Sequence, residues 1–324
     1  MRIPSVALAL SFALGWSVPG SAQGTSFEGA AFLMLPVGAH GVSVGRAATA
    51  TPGQESAFWN PAGLAEVSSS RVLLLHGESV VGTTTGLSTL FARPGVGTLA
   101  VSYLLLDVGD QEERDPFNNL EGTVTLRNHL AMVSASTRLA GRVSAGVSFK
   151  VARFELACRG RCGTPSTSSS TYAMDAGLQV APTPRVPLRL GAMVAHLGPR
   201  FQHRNAEQAD PLPTRIRLAA AYDVLGAFGR VPGMEGWLTL EVQERLAGPG
   251  SPAVFLGSEV VAGTEDRLFL RAGYVATDPD QPGGASVGFG LEFQKFEFSV
   301  AKSFLAAGLA GATDPFTAAL SIAF

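Results

Sequence analysis

The sequence has few charged residues and no long apolar run. Only 15% of its 324 residues are charged, against about 25% in typical soluble domains. After the amino-terminal region, no stretch reaches the roughly 18 consecutive apolar residues that a membrane-spanning helix needs. The formal net charge of −2 does not favour a nucleic-acid partner. The composition therefore predicts neither a helical membrane protein nor a nucleic-acid-binding protein.

Cysteine and histidine are also scarce. Cys158 and Cys162 stand close together in the sequence, and in an exported chain such a pair can form a small-loop disulfide. A metal site would need further Cys or His residues nearby, and the histidines are scattered without metal-type spacing. His129 and Ser134, a conceivable base and nucleophile, occupy positions of opposite parity in one predicted strand. We therefore predict a disulfide, no metal or other cofactor, and no catalytic residues.

Apolar residues, glycine and proline dominate instead. The chain is 46% hydrophobic and contains 38 Gly and 20 Pro, which argue against long helices. Residues 1–22 combine an early Arg, an apolar run at 6–16 and small residues before Ala22, the pattern of a secretory signal peptide. An exported chain of this composition can bury its apolar surface in a large β core, or in a membrane as a β-barrel.

The last nine residues favour the barrel. From Phe316 to Phe324 one face is apolar and the other is small or polar, as in a strand between lipid and a lumen. A soluble β-sandwich also alternates, so this strand alone leaves both folds open. An aromatic carboxyl terminus is how outer-membrane barrel chains end. We therefore predict that Phe324 is an assembly signal, read by the barrel assembly machinery through the carboxyl-terminal strand.

The strand count and the connections extend this prediction. Apolar alternation bounded by turn residues predicts fourteen strands over residues 71–324, including 97–106, 123–138 and 142–154. The second of these is overlong and its alternation slips near Val133, which indicates a bulge or an extra-membranous extension. Connections after odd-numbered strands are mostly long and the others mostly short, apart from 225–236. Bacterial barrels show this asymmetry, with short periplasmic turns. We predict an all-β fold, a 14-stranded antiparallel transmembrane β-barrel in the bacterial outer membrane, with both termini periplasmic.

Residues 23–70 do not alternate, and they carry a short motif. This motif is Phe58, Trp59, Asn60, Pro61, Ala62 and Gly63. Placed before a fourteen-strand barrel, it resembles the amino-terminal segment of the outer-membrane long-chain fatty-acid transporter (FadL-like) superfamily, and most closely its smaller PorV/PorQ-type relatives. In the transporters this segment is a hatch inside the barrel, with an Asn-Pro-Ala signature. The resemblance implies a plug at 23–70, which would fill space that fourteen strands enclose.

The resemblance also implies a function. It suggests a barrel in outer-membrane lipid that binds or passes hydrophobic small molecules. The chain is shorter than the fatty-acid transporters and its predicted outer loops are modest, so a PorV/PorQ-like surface scaffold that docks exported proteins is the alternative. A general porin would need an unplugged pore.

Charged residues at predicted inward positions are of both signs. Inside a barrel such charges need partners, so they either pair with one another and with the plug, or line a wet pore. The predicted lumen charges are Arg127, Lys150, Arg215, Arg217, Glu241, Arg271 and Glu292.

Overall fold

A computed structural model describes residues 28–163, 165–183, 186–201, 209–229, 231–305 and 314–324. The predicted signal peptide at 1–22 lies outside these residues. Fourteen antiparallel strands in the described chain form one closed barrel, which confirms the predicted fold class. The strands are β1 Arg71–Ser79, β2 Gly82–Arg93, β3 Gly97–Arg114, β4 Leu120–Ala140, β5 Val143–Gly160, β6 Thr167–Val180, β7 Leu188–Leu197, β8 Arg215–Asp223, β9 Met234–Arg245, β10 Ala253–Ala262, β11 Arg267–Thr277, β12 Gly284–Phe293, β13 Phe296–Leu305 and β14 Phe316–Ala323.

The described helices are all short. They are α1 Ala39–Ser43, α2 Ser56–Trp59 and α3 Val224–Phe228, with 3-10 turns at Ala31–Met34 and Pro61–Glu66. Within the described ranges, no helix has the length and apolar character needed to cross a membrane.

Pairing between the first and last strands closes the barrel. β1 pairs with β14 in a continuous register from Arg71 opposite Ala323 to Glu78 opposite Phe316. The Phe324 N–H donates to the Ser70 carbonyl at 2.9 Å, and the Phe324 ring packs edge-on against Phe91. Both ends of the barrel sequence therefore meet at one rim. We call this rim the terminal end and the opposite rim the distal end.

Strands β3 to β6 are longer than the sequence pattern predicts. The predicted connection at 107–122 is mostly strand, because β3 and β4 stay paired to Arg114 opposite Leu120. The described connections shrink to 115–119 between β3 and β4 and to 161–166 between β5 and β6. The prediction of long loops at these two places is therefore wrong. Polar residues such as Gln111 continue the ladder, because hydrogen bonds to a neighbouring strand do not require apolar side chains.

The predicted bulge near Val133 is also misplaced. Val133 is exposed between buried Met132 and Ser134, so alternation is regular there. The register shifts instead between Asp107 and Gly109 on β3. A second shift lies between Arg138 and Ala140, next to the turn into β5.

The exception at 225–236 holds a short helix. α3 follows β8 directly, and the Asp223 carboxylate accepts hydrogen bonds from the Gly226 and Gly236 N–H groups at 3.0 and 3.1 Å. This connection at the terminal end is therefore longer than the turns beside it.

Residues 28–70, the inner segment, lie within the barrel. Its backbone, or the side chain of Asn60 or Ser43, contacts inward-facing glycines on six strands, where an added Cβ would clash. A Cβ on Gly191 would lie 2.3 Å from the Thr49 oxygen, and one on Gly146 would lie 2.3 Å from the Pro61 carbonyl carbon. These glycines form a collar that only glycine can build, because any side chain would displace the inner segment. The collar consists of Gly146, Gly177, Gly191, Gly257, Gly273 and Gly288.

We expect Gly191→Ala to destabilise the barrel by about 1–3 kcal/mol, the usual cost of overpacking a tight interior. The matched control is Gly141→Ala, because an added Cβ at Gly141 meets nothing within 4 Å. Thermal unfolding of the purified barrel in detergent, followed by circular dichroism, measures both. Equal melting midpoints for the two variants would contradict a tightly seated inner segment.

Candidate functional site: cavities around the inner segment

Asn60 joins two parts of the inner segment to the barrel wall. Its side chain is fully buried, and its Nδ2 donates to the carbonyls of Thr49 and Leu178 at 2.8 and 3.2 Å. Its Oδ1 accepts from the Ala62 N–H at 3.1 Å and so caps the 3-10 turn that begins at Pro61. A buried amide with all these bonds satisfied is costly to replace. Asn60 therefore fixes both the turn and its position against β6.

Trp59 is held on several sides at the centre of the lumen. Its indole N–H donates to the Val37 carbonyl at 2.9 Å. A Cβ on Gly41 would lie 2.1 Å from its ring, so α1 packs directly on the indole. The Arg217 guanidinium lies 5.5 Å from the ring centroid, within range of a cation–π interaction. Phe58 packs against three of the apolar clusters around the inner segment.

A large cavity opens at the distal end. The distal cavity has a volume of about 530 Å³ and lies between the inner segment and strands β1 and β12 to β14. Most of its wall is apolar, including Met34, Leu35, Val42, Leu75 and Val275. Pockets of this size and character are typical of small-molecule sites.

A small cavity lies deeper, beside Trp59. The central cavity has a volume of about 60 Å³ and is mainly apolar, with Phe32, Phe58 and Leu130 among its lining residues. Met34, Leu35, Val37, Arg46 and Thr84 line both this cavity and the distal one, so the two are adjacent.

The third cavity, at the terminal end, is polar. The terminal chamber has a volume of about 340 Å³ and includes His40, Arg71 and Glu297 in its wall. Trp59 lines both the central cavity and this chamber. An apolar distal half and a charged terminal half therefore meet at the Trp59 indole.

The predicted lumen charges Lys150, Arg215 and Glu241 face inward and have partners. Lys150 lies 2.5 Å from Asp175, and Arg215 lies 2.5 Å from Glu28. Glu241 accepts hydrogen bonds from the Thr49 N–H and hydroxyl, both at 2.8 Å. Two of these charges thus hold the inner segment directly.

Two more of the predicted lumen charges, Arg271 and Glu292, each form separate ion pairs nearer the terminal end. Arg271 lies 2.5 Å from Glu259, which also lies 3.5 Å from His40 of the inner segment. Glu292 accepts from Arg267 at 2.6 Å and Arg71 at 3.3 Å. Arg217 differs from these: it is buried over Trp59, and its Nε has no hydrogen-bond partner in the described chain.

The prediction that Arg127 lines the lumen is wrong. Its side chain is 46% exposed and its Nε donates to Asp107 at 2.8 Å on the outer face. The physical reason is that β4 alternates regularly from Asn128 to Ser134, without the slip that the prediction placed near Val133. Arg127 therefore shares the outward parity of Val133, whereas buried Asn128 and Met132 face inward.

The structure joins Cys158 and Cys162 as a disulfide on the distal extension of β5. The disulfide lies at the tip of the hairpin between β5 and β6 and stabilises only that tip. His129 and Ser134 lie on opposite faces of β4. His129 bonds the Tyr103 hydroxyl at 2.7 Å, whereas the Ser134 hydroxyl bonds that of Ser148 inside the barrel at 2.7 Å.

Sequence reasoning missed several residues that seat the inner segment. Glu55 is buried and accepts from the backbone N–H groups of His40 and Gly41, both at 3.1 Å, and Arg46 pairs with Asp278 at 2.7 Å. These partners are distant in the sequence and leave no local signal. The glycine collar did leave a signal in the sequence, because glycine recurs at strand positions of inward parity.

The comparisons with known proteins bear on the fold. The sequence matches neither a protein-family model nor a curated protein. The solved structure of the CymD monoaromatic hydrocarbon channel is similar, with a TM-score of 0.60 and 13% identity over 89% of this chain and 97% of that one. A FadL homologue from Pseudomonas aeruginosa gives a TM-score of 0.56 and 10% identity over 90% and 99%. The toluene transporter TodX from Pseudomonas putida gives 0.56 and 10% over 87% and 98%.

These likenesses define the class of fold. The closed fourteen-strand barrel of this chain shares its fold with the FadL homologue and with TodX. At such low identity the similarity extends to architecture and not to individual residues.

We expect the double substitution Asn60→Ala with Pro61→Ala to loosen the inner segment and raise permeability to hydrophobic antibiotics. Removing the Asn60 amide takes away its hydrogen bonds to the buried Thr49 and Leu178 carbonyls, which contribute about 0.5–1.5 kcal/mol each. The measurement is antibiotic sensitivity of cells that express equal amounts of each barrel. Asn119→Ala, at an exposed hairpin tip, is the control. Unchanged sensitivity in the double variant would argue against a hatch.

Proposed function

We propose that this protein is an outer-membrane channel that binds and passes hydrophobic small molecules, with the segment at 23–70 as its plug. The observation that carries the proposal is the apolar distal cavity of about 530 Å³, which adjoins a second apolar cavity beside Trp59. An apolar molecule leaving water gains roughly 25 cal/mol per Å² of surface that it buries there. A lumen filled completely by the inner segment would provide no such site.

The hatch residues form the inner boundary of this route. Trp59 lines both the central cavity and the terminal chamber, and Phe58 lines the central cavity beside it. An apolar ligand gains less in the terminal chamber than in the distal cavity, because polar atoms form a larger share of the wall of the chamber. In this proposal Trp59 is the barrier that a ligand meets, and Asn60 is the positioning residue that keeps the barrier in place.

The proteins of similar structure support the same kind of cargo. One is a monoaromatic hydrocarbon channel and another a toluene transporter. The particular cargo of this chain does not follow from a shared fold. The PorV/PorQ-type relationship and the docking of exported proteins remain predictions from the sequence alone.

We propose that the terminal end faces the periplasm. In its support, the barrel sequence begins and ends at this rim, and its described turns at 94–96, 141–142, 263–266 and 294–295 are short. The distal end would then face outward, with the extended strands β3 to β6 and the distal cavity. In the same scheme Phe324 is the signal read by the assembly machinery, and 1–22 is removed on export.

Mass spectrometry of the barrel, extracted gently from native membranes, tests the function directly. A lipid-like or other apolar molecule bound in stoichiometric amount would support a channel and identify its cargo class. An exported protein that copurifies without such a ligand would favour a scaffold instead.

A matched pair of substitutions tests the route. Thr84 lines both apolar cavities, whereas its neighbour Thr85 is exposed on the outer face of β2. We expect Thr84→Phe to reduce ligand retention and passage by roughly tenfold, since it fills the space where the cavities meet. Thr85→Phe adds the same bulk outside the lumen and should change neither. Similar behaviour of the two variants would exclude this route.

A further inference from the structure

The connection between β11 and β12, residues 278–283, leans across the mouth of the barrel. β11 and β12 neighbour β10 and β13 in the sheet, not β8 or β9. Nevertheless, the Asp280 carboxylate pairs with Arg245 on β9 and, at 2.8 Å, with Arg215 on β8. The connection therefore crosses above two strands rather than standing upright on its own hairpin.

This connection separates the distal cavity from the central one. Asp278 lines the central cavity, Asp280 and Pro282 line the distal cavity, and Gln281 lines both. The Gln281 Nε2 donates to the Met34 carbonyl of the inner segment at 2.7 Å, and Asp278 pairs with Arg46 at 2.7 Å. The partition is thus built from two pieces, the inner segment and the connection.

The two pieces are held in different ways. The inner segment is seated by the glycine collar and by buried hydrogen bonds such as those of Asn60. Residues 278–283 contact other parts of the barrel through ion pairs and one hydrogen bond, which the side-chain amide of Gln281 donates. Arg245 is 34% exposed and Asp280 and Arg46 are each 15% exposed, whereas Asp278 and Arg215 are each 1% exposed. Water can replace the bonds of the more exposed groups when the connection lifts, whereas lifting the inner segment would open tight packing.

The electrostatics of Asp280 favour the closed position. Partial burial opposes its charge, but the hydrogen bonds from Arg245 and Arg215 outweigh this and hold the pKa of the carboxyl below its usual range. Asp280 is therefore ionised at neutral pH and keeps both arginines. Arg215 also binds Glu28 at 2.5 Å, so one guanidinium joins the connection to the start of the described inner segment.

We infer that residues 278–283 form a lid that gates passage between the distal and central cavities. This inference rests on the proposed channel function. In the closed position, Asp278 and Asp280 hold the lid to Arg46, Arg215 and Arg245. Lifting the lid opens a gap in the partition between the two cavities, while Trp59 and the glycine collar stay in place.

The first test releases the lid. Asp278→Asn combined with Asp280→Asn removes the charges from the lid but keeps side-chain size. With liposomes that contain the purified barrel and toluene as the probe, passage should rise roughly tenfold, as expected when the three ion pairs of Asp278 and Asp280 stop favouring one state. The control is Asp314→Asn, which removes a carboxylate at the same end that pairs only loosely with Lys302 at 3.8 Å.

The second test does not depend on passage. Met193 is buried and lines the central cavity but not the distal one, and no free cysteine occurs among the described residues. Met193→Cys therefore introduces a single thiol below the lid. Its reaction with N-ethylmaleimide should be roughly tenfold faster when Asp278 and Asp280 are replaced by Asn, on the same reasoning. It should be unchanged with Asp314→Asn.

A locked lid provides the converse test. Met34→Cys with Gln281→Cys, in a Cys158→Ser and Cys162→Ser background, places two thiols where Gln281 now donates its hydrogen bond to Met34. Oxidation is then expected to join them as a disulfide. Oxidation should stop passage, and a reductant should restore it.

The outcomes separate the lid from the channel. Faster labelling of the thiol in a protein that passes no toluene would refute toluene as cargo and support the lid. Passage by the wild type, with labelling and passage unchanged in the released variant and in the oxidised locked variant, would overturn the lid and leave the channel standing.

Discussion

Pairing between β1 and β14 is the interaction on which the structure depends. A bilayer offers no hydrogen-bond partners to backbone groups, so a sheet can cross it only when it has no free edge. The continuous register from Arg71 to Glu78 against β14 removes that edge. Closure also creates a lumen wider than the wall's own side chains can fill. The inner segment, the paired charges and the cavities all follow from that space.

The inner segment lies in the lumen and contains short helices and turns but no long helix or strand. Short helices and turns let its backbone approach the wall closely, and the six collar glycines make room for it. Its polar groups are then satisfied by the wall, as when Glu241 binds Thr49 and Asn60 binds Leu178. Buried charges cost several kcal/mol when unpaired, so the alternating inward positions carry acids and bases that meet.

The inner segment does not fill the distal end of the lumen, and the surface that lines the remaining space there is mainly apolar. Apolar residues of the inner segment face apolar wall positions across an open space, while the terminal half is lined by ion pairs. In the proposed channel, a molecule that prefers apolar surroundings would be drawn to the distal half rather than to the terminal chamber. The partition between the cavities combines a part seated by packing with a part held by charge. Under the inferred lid mechanism, the packed part stays in place and the part held by charge moves.

Local pattern determined much of this protein. Alternation such as that of Phe316–Phe324 was enough to predict fourteen strands, because side chains on a strand face alternate sides wherever the register is regular. The contrast between long and short connections then favoured a closed barrel over a β-sandwich. The turn from Asn60 to Gly63 was also visible as a motif. Only the tertiary structure decided that Arg127 lies outside, since the slip in alternation that the sequence indicated near Val133 does not occur and β4 keeps Arg127 on its outward face. It also decided the strand extensions, the cavities and the reach of Asp280 to Arg215. Those contacts join residues far apart in the chain, and the closed barrel alone brings them together.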